Sequence, residues 1–269
     1  MRDIIEVTDI ADPVFDVYSR HNETKLYRYY EPDAGLFIAE SVRVIARALD
    51  AGYEPVSLLL ETSAMEKEAS AILQRVGDIP VYTAGQKTLE QITGYPVTRG
   101  ALSAMRRRTL LAVDTICADT KRIAVLHHIM NPTNVGAIFR NAAALNVDAV
   151  LLLNGCADPL YRRAIRVSMG NVFSIPWTVC EEQEALACLK KEDFTCYALG
   201  LREDAVSLSD VSFAAQEKTA LFLGSENDGL SDTIMEACDA VVMIPMAHGV
   251  DSLNVAAASA VAFFCLAGN

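Results

Sequence analysis

Three short segments of this chain gather the residue types that could do chemistry, and each follows an apolar run of strand length. After residues 123–126 comes HHIMNPTNVGAIFRNA (127–142). Asn134 there suits a helix N-cap, and Gly136 allows close approach to the first turn. Arg140 lies within two turns of that helix start. Short polar side chains with an arginine near a helix N-terminus suit a phosphate-bearing substrate; the plain alternative is a capped helix with one exposed arginine. After 220–223 comes GSENDGLS (224–231), in which two glycines bracket Glu226. That is a backbone-lined loop carrying a carboxylate, or simply a tight turn in which Ser231 caps the next helix. After 240–244 comes PMAHGVDSLNVAAA (245–258), with Ser252 and Asn254 opening the most apolar helix of the chain. Polar groups facing so dry a helix point to a bound ligand or a subunit boundary, against a core helix with a serine cap. Neither GxGxxG nor a lysine-bearing P-loop occurs, which leaves dinucleotide and nucleoside-triphosphate chemistry without support.

The elements that must position these turns alternate regularly. Apolar runs at 123–126, 149–153, 195–199, 220–223 and 240–244 are separated by helical patterns at 135–145, 160–169, 181–190, 231–237 and 253–266. Strands this apolar are covered on both faces, as in a doubly wound α/β sheet, whose ligands bind beyond the carboxyl ends of the strands. Residues 1–115 read as a smaller α/β unit with a mainly parallel sheet. Its helices are expected at 40–51, stopped by Gly52, and at 64–76; its strands at 56–60, 79–82 and 110–113, with a loop at 93–100. The lone Trp177 reads as a packing residue near the sheet edge. The fold class is α/β in two domains, 1–115 and 116–269.

Composition bounds the rest. With 52% hydrophobic and 22% charged residues, the chain is neither disordered nor of low complexity. Seven cysteines without a CxxC, and no His/Cys pair at zinc spacing, argue against a disulfide frame and against a metal site. No stretch of about 18 apolar residues occurs and no signal-peptide core is present, so the expected location is cytoplasmic, with no membrane association.

Taken together, NPTNVGAIFRNAAAL (131–145), LFLGSENDGLS (221–231) and IPMAHGVDSLNVAAASA (244–260) resemble the three motifs of the SpoU (TrmH) family of RNA ribose 2'-O-methyltransferases, within the SPOUT superfamily. The resemblance covers residues 121–269 and extends more weakly to 36–108. It implies a SPOUT-type domain with a deep trefoil knot, an N-terminal RNA-binding domain and a homodimer formed through the knotted domain. It also implies S-adenosylmethionine as cofactor, held by Leu199, Gly200, Gly224, Ile244, Met246 and Leu253. Asn134, Arg140, Glu226, Ser252 and Asn254 match the family's functional polar positions. The implied activity is methylation of a ribose 2'-hydroxyl in structured RNA, large-subunit ribosomal RNA first and transfer RNA second. The alternative is a non-catalytic knotted protein of RNA binding or ribosome assembly. Two departures stand out: Asn227 where the family often has Gly, and Ala256 where Ser is common. His127 and His128 read as strand-end structural residues and His248 as an exposed loop histidine.

A net charge of −12 speaks against a nucleic-acid partner, but the charge is unevenly spread. Residues 99–166 carry ten Lys and Arg against four Asp and Glu. Arg99 lies in the 93–100 loop and Arg106, Arg107 and Arg108 follow it, while Arg162, Arg163 and Arg166 share one helical stretch; these seven are the candidate RNA contacts. Arg20, His21, Lys25 and Arg28, interleaved with Tyr27, Tyr29 and Tyr30, form a weaker candidate arm with stacking groups.

Overall fold

A computed structural model describes residues 4–18, 25–26, 35–64, 69–97, 100–212, 215–225 and 228–267. Glu226 and Arg99 lie outside the described residues, as do Asn227 and most of the candidate N-terminal arm: Arg20, His21, Tyr27, Arg28, Tyr29 and Tyr30. The chain forms two units, one of Met1–Thr109 with Leu160–Phe173, the other of Leu110–Pro159 with Ser174–Asn269. Residues 160–173, placed by their sequence position in the second domain, pack in the first unit.

The first unit is built on strands β1 (Ile4–Glu6), β2 (Leu36–Glu40), β3 (Pro55–Glu61), β4 (Val81–Ala84) and β5 (Ala101–Arg106), in spatial order β1-β4-β3-β5-β2. β4 runs parallel to β1 and β3, whereas β5 runs antiparallel to β2 and β3. The sheet is therefore mixed, not mainly parallel. β5 escaped the sequence reading because Ser103 interrupts its apolar run; that serine is fully buried and donates to the Ser57 carbonyl at 3.2 Å. Helix α1 (Val42–Asp50) begins where the Ser41 hydroxyl accepts from the Val44 amide. It is followed by Gly52 at φ 80°, a left-handed position that favours glycine. The expected helix at 64–76 is, in its described part, a 3₁₀ turn at Thr62–Ala64 and the short α2 (Ser70–Leu73). α3 (Gln86–Thr93) ends at Gly94 in the left-handed region. The helix Arg162–Val167 is tied to this unit by the Arg162 guanidinium, which donates to Tyr95 Oη at 3.3 Å and to the Val17 and Tyr18 carbonyls.

Among the described residues the second unit carries seven strands, all parallel: β6 (Arg122–Leu126), β7 (Ala149–Leu153), β8 (Trp177–Cys180), β9 (Thr195–Leu199), β10 (Val206–Ser207), β11 (Thr219–Leu223) and β12 (Ala240–Met243). Their order is β10-β12-β9-β11-β6-β7-β8, so β11 inserts between two strands formed earlier in the chain. Trp177 lies on the edge strand β8, buried against Phe139 with ring centroids 6.4 Å apart. Residues 110–113 are not a strand. Leu110 and Leu111 are exposed, while Val113, Ile116 and Cys117 recur at helical spacing and bury one face of α4 (Val113–Ala118). α5 (Pro132–Ala144), α6 (Glu182–Lys191), α7 (Asp232–Ala237) and α8 (Val255–Leu266) complete the layers, α4 packing on α6 and α5 on α8. All seven cysteines are free thiols, four of them buried. Among the described residues no helix is long and apolar enough to cross a membrane, and no cluster of side chains could hold a metal ion.

Candidate active site

The parallel register brings strand ends level at the centre of the sheet of the second unit. Leu126, Leu223 and Leu199 pair across β6, β11 and β9, and Val242 of β12 pairs with Leu199. Backbone bonds continue past the strands, from Gly200 N to Val242 O at 3.0 Å and from His127 N to Leu223 O at 2.9 Å. Strand order reverses beside β6, the place where an open parallel sheet leaves a crevice at its carboxyl edge.

A cavity of about 350 Å³ occupies that edge. It is lined by Leu199, Gly200 and Leu201 after β9, by Leu223, Gly224 and Ser225 after β11, by Met243, Ile244 and Met246 after β12, and by Asp251, Ser252 and Leu253 before α8. Asp228, Gly229, Leu230, Met235, Val255 and Ala258 close it. All six residues expected to hold a cofactor are brought together here, with Ser252 beside them. Asp228, Asp251 and Met235 were not singled out from sequence. The two aspartates sit inside the quoted motifs, but nothing in their spacing separates a cavity carboxylate from a solvated one, and Met235 reads only as a core position of its helix.

The lining has a definite chemistry. Among the described residues it combines apolar side chains and strand-end backbone with two carboxylates, and it includes no lysine or arginine. A phosphate-rich nucleotide would find no countercharge among these residues. A nucleoside-sized ligand with an apolar body and a cationic centre matches both the carboxylates and the volume. The residues present therefore fit an adenosyl sulfonium such as S-adenosylmethionine.

The loop after β11 is cinched. Gly229 N donates to Ser225 O at 3.0 Å, the Asp228 amide donates to Ser225 Oγ at 3.1 Å, and Gly229 adopts φ 67°. A Cβ on Gly224 would stand 2.3 Å from the Gly229 carbonyl carbon and 2.5 Å from the Leu230 nitrogen. Only glycine permits so close a backbone crossing.

The first motif opens α5 differently from the sequence expectation. Asn131, not Asn134, is the N-cap: its Oδ1 accepts from the Thr133 amide at 2.8 Å, and Pro132 occupies the first helical position, where its fixed φ starts the helix. Asn134 is buried in the first turn, where its Oδ1 accepts from Asn254 Nδ2 at 3.3 Å. Asn254 in turn caps α8 through the Ala256 amide at 3.0 Å, the role that sequence gave to Ser252. A second bridge joins the same helices: Asn141 Nδ2 donates to the Ala256 carbonyl at 2.8 Å and to the buried Ser259 hydroxyl at 2.9 Å. Arg140, the residue before that bridge, is exposed, and among the described residues it has no hydrogen-bond or ion-pair partner. Asn134, Arg140 and Asn254 are not part of the cavity lining.

The described candidate RNA contacts, Arg106–Arg108 and Arg162, Arg163 and Arg166, lie in the first unit. Arg106 and Arg108 are exposed, and Arg107 is partly so. Arg108 donates to the Ala51 carbonyl and covers the Tyr53 ring at 5.5 Å. Arg162 is engaged within the unit as described, while Arg163 and Arg166 face solvent.

The family model described as the SpoU rRNA methylase family matches residues 121–264. A Mycobacterium bovis protein described as an uncharacterized tRNA/rRNA methyltransferase is 36% identical over 264 residues, covering 97% of this chain and 91% of its own. The 23S rRNA (guanosine-2'-O-)-methyltransferase RlmB of Acinetobacter baylyi is 26% identical over 191 residues, covering 69% of this chain and 77% of its own. An AdoMet-bound rRNA methyltransferase crystal structure from Sinorhizobium meliloti superposes with a TM-score of 0.84 at 23% identity, covering 98% of this chain and 97% of the other.

Proposed function

The chain belongs to the SpoU rRNA methylase family, and from that premise we propose that it transfers a methyl group from S-adenosylmethionine to a ribose 2'-hydroxyl of structured RNA. Large-subunit ribosomal RNA is the first candidate substrate and transfer RNA the second, in keeping with the names of the relatives. The observation that carries the reading is the cavity at the carboxyl edge of the sheet, where the second and third motifs meet around a lining that has no lysine or arginine among the described residues.

S-adenosylmethionine supplies a methyl group already activated by the sulfonium charge, so the protein has to align, shield and accommodate the loss of a proton. Leu199, Gly200, Gly224, Ile244, Met246 and Leu253 would hold the cofactor, with Asp228 and Asp251 offering negative charge. Arg140 is the essential group toward RNA. We place it at the ribose 2'-oxygen beside a neighbouring phosphate, as the group that takes or directs the hydroxyl proton while the methyl passes to oxygen and S-adenosylhomocysteine leaves. Asn134 and Asn254 tie the start of α5 to the start of α8 and so keep the first and third motifs in register. Ser252 lies in the cavity wall, and Glu226 is, beside Asp228, a carboxylate of the second motif.

The exposed apolar side chains Val261 and Phe264 on α8 support a homodimer formed through the second unit. The family resemblance further supports a trefoil knot in that unit, RNA binding by the first unit through Arg99, Arg106–Arg108, Arg163 and Arg166, and a cytoplasmic location. Methyl transfer from labelled S-adenosylmethionine to ribosomal RNA and to transfer RNA tests the activity. Arg140→Ala is expected to abolish transfer while retaining cofactor binding; near-normal turnover in that variant would remove Arg140 from the mechanism.

A further inference from the structure

The cinched loop after β11 does not stand alone; a pair of histidines reaches it from the neighbouring strand. His127 follows β6, which pairs along its whole length with β11. Its backbone amide donates to the Leu223 carbonyl, and its ring, buried, places Nδ1 3.3 Å from the Gly229 carbonyl oxygen. Because that oxygen can only accept, Nδ1 carries the proton in this contact. Leu223 and Gly229 are the two ends of the loop, and both line the cavity. A single residue therefore holds both ends through different atoms.

The ring is itself fixed. His128 stacks on it with centroids 4.1 Å apart and planes 19° from parallel, and does so from a left-handed backbone at φ 54°. A non-glycine residue in that region stores strain that the surroundings must hold. The surroundings are the turn after β7. Gly155 leaves the room that His128 fills: a Cβ there would meet His128 Cδ2 at 2.7 Å. The next residue, Cys156, donates its thiol to the Leu126 carbonyl at 3.3 Å and accepts from the Ile129 amide at 3.4 Å, clamping the backbone on both sides of the histidine pair. Burial, then the adjacent His128, lowers the His127 pKa, which keeps the ring neutral near pH 7.

We propose that His127 is a positioning residue for the cofactor: buttressed by His128, Gly155 and Cys156, it sets the loop ends at Leu223 and Gly229 in the conformation that binds S-adenosylmethionine. This inference rests on the reading of the cavity as the cofactor site. It requires of position 127 a donor at the Nδ1 position and a fixed side chain, not an imidazole that titrates.

The test is calorimetric binding of S-adenosylmethionine to the full chain, with a melting curve for each variant. His127→Leu removes the donor while retaining bulk and is expected to weaken binding about five- to tenfold, the effect of one neutral hydrogen bond. His127→Asn places an amide N–H near the position of Nδ1 and is expected to restore binding to within about twofold. Gly155→Ala displaces His128 and is expected to weaken binding in the wild-type background but to add nothing in His127→Leu, a non-additivity that general destabilisation does not produce. Equal affinity of wild type and His127→Leu, failure of Asn to restore, or additive effects of the two substitutions would each overturn the proposal. A wild-type chain that binds no S-adenosylmethionine would instead overturn the cavity assignment, and this inference with it.

Discussion

Gly224→Ala is the sharpest perturbation available at the cavity. The added methyl would sit 2.3 Å from the Gly229 carbonyl carbon, 2.5 Å from its oxygen and 2.5 Å from the Leu230 nitrogen. All three are backbone atoms, so no side-chain rotation relieves the overlap, and van der Waals contact for such pairs begins at about 3.5 Å. Either Gly224 or the 229–230 backbone has to move by roughly 1 Å, at the overpacking cost of about 1–3 kcal/mol. The loop is the softer partner, because Leu223 is locked into β11 between two parallel neighbours. The displacement therefore falls on Gly229 and Leu230, which line the cavity. Spread over binding, that cost is about a 5- to 150-fold loss of affinity for S-adenosylmethionine, read by calorimetry. Gly200→Ala is the control for the fold. Its methyl would lie 3.5 Å from Met235 Sδ, an ordinary contact, and its melting temperature should match wild type. Wild-type affinity in Gly224→Ala, within about twofold, would refute the claim that this glycine crossing shapes the site.

Three further outcomes are expected. Asn141→Leu strips the bridge to Ala256 and Ser259 and leaves a buried hydroxyl with one partner fewer; it should cost about 1–3 kcal/mol of stability by denaturant titration, and an unchanged midpoint would contradict the bridge. If the proposed dimer forms through α8, wild type should sediment as a dimer and Phe264→Asp as a monomer; a monomeric wild type would overturn the dimer, and an unaffected variant would move its interface elsewhere. Burial raises the Cys156 thiol to about 11 and the Cys180, Cys196 and Cys238 thiols to about 12. An acid whose folded pKa is raised loses its proton first in the unfolded chain, so the stability present below about pH 9 should decline as pH rises toward 11–12. Denaturant midpoints between pH 8 and pH 11 check this, with a shallower decline expected for Cys196→Ala and a flat profile contrary to it.

Much of the second unit was legible because its strands are buried on both faces and read as unbroken apolar runs. β6, β7, β9, β11 and β12 fall within a residue or two of their expected positions. The motif turns follow directly, since residues at strand ends need no knowledge of strand order to be recognised. What sequence could not supply was the order itself. The insertion of β11 between β6 and β9 is what brings residues 199–201 beside 223–225, and no local pattern encodes that pairing. The first unit was harder for the opposite reason. Ser103 conceals β5, the apolar pair Leu110–Leu111 mimics a strand while facing solvent, and Arg162 looks like surface charge while it ties its helix to the Tyr18 region. Caps were misplaced where two candidates stood close together: Pro132 decides for Asn131 over Asn134, and the hydrogen bond to the Ala256 amide decides for Asn254 over Ser252. His127 read only as a strand-end structural residue, because its ring contact is with Gly229, 102 residues later in the chain.

The activity proposed for this chain is methylation of ribose in RNA. The most direct measurement compares 2'-O-methyl maps of total RNA from a parent strain, a strain lacking this protein, and that strain complemented with wild type or Arg140→Ala. The expected result is the loss of a defined 2'-O-methylated nucleotide on deletion, most immediately in large-subunit ribosomal RNA, its return with wild type and its continued absence with Arg140→Ala. Unchanged ribose methylation at every position, or the loss of a base methyl instead, would contradict the assignment.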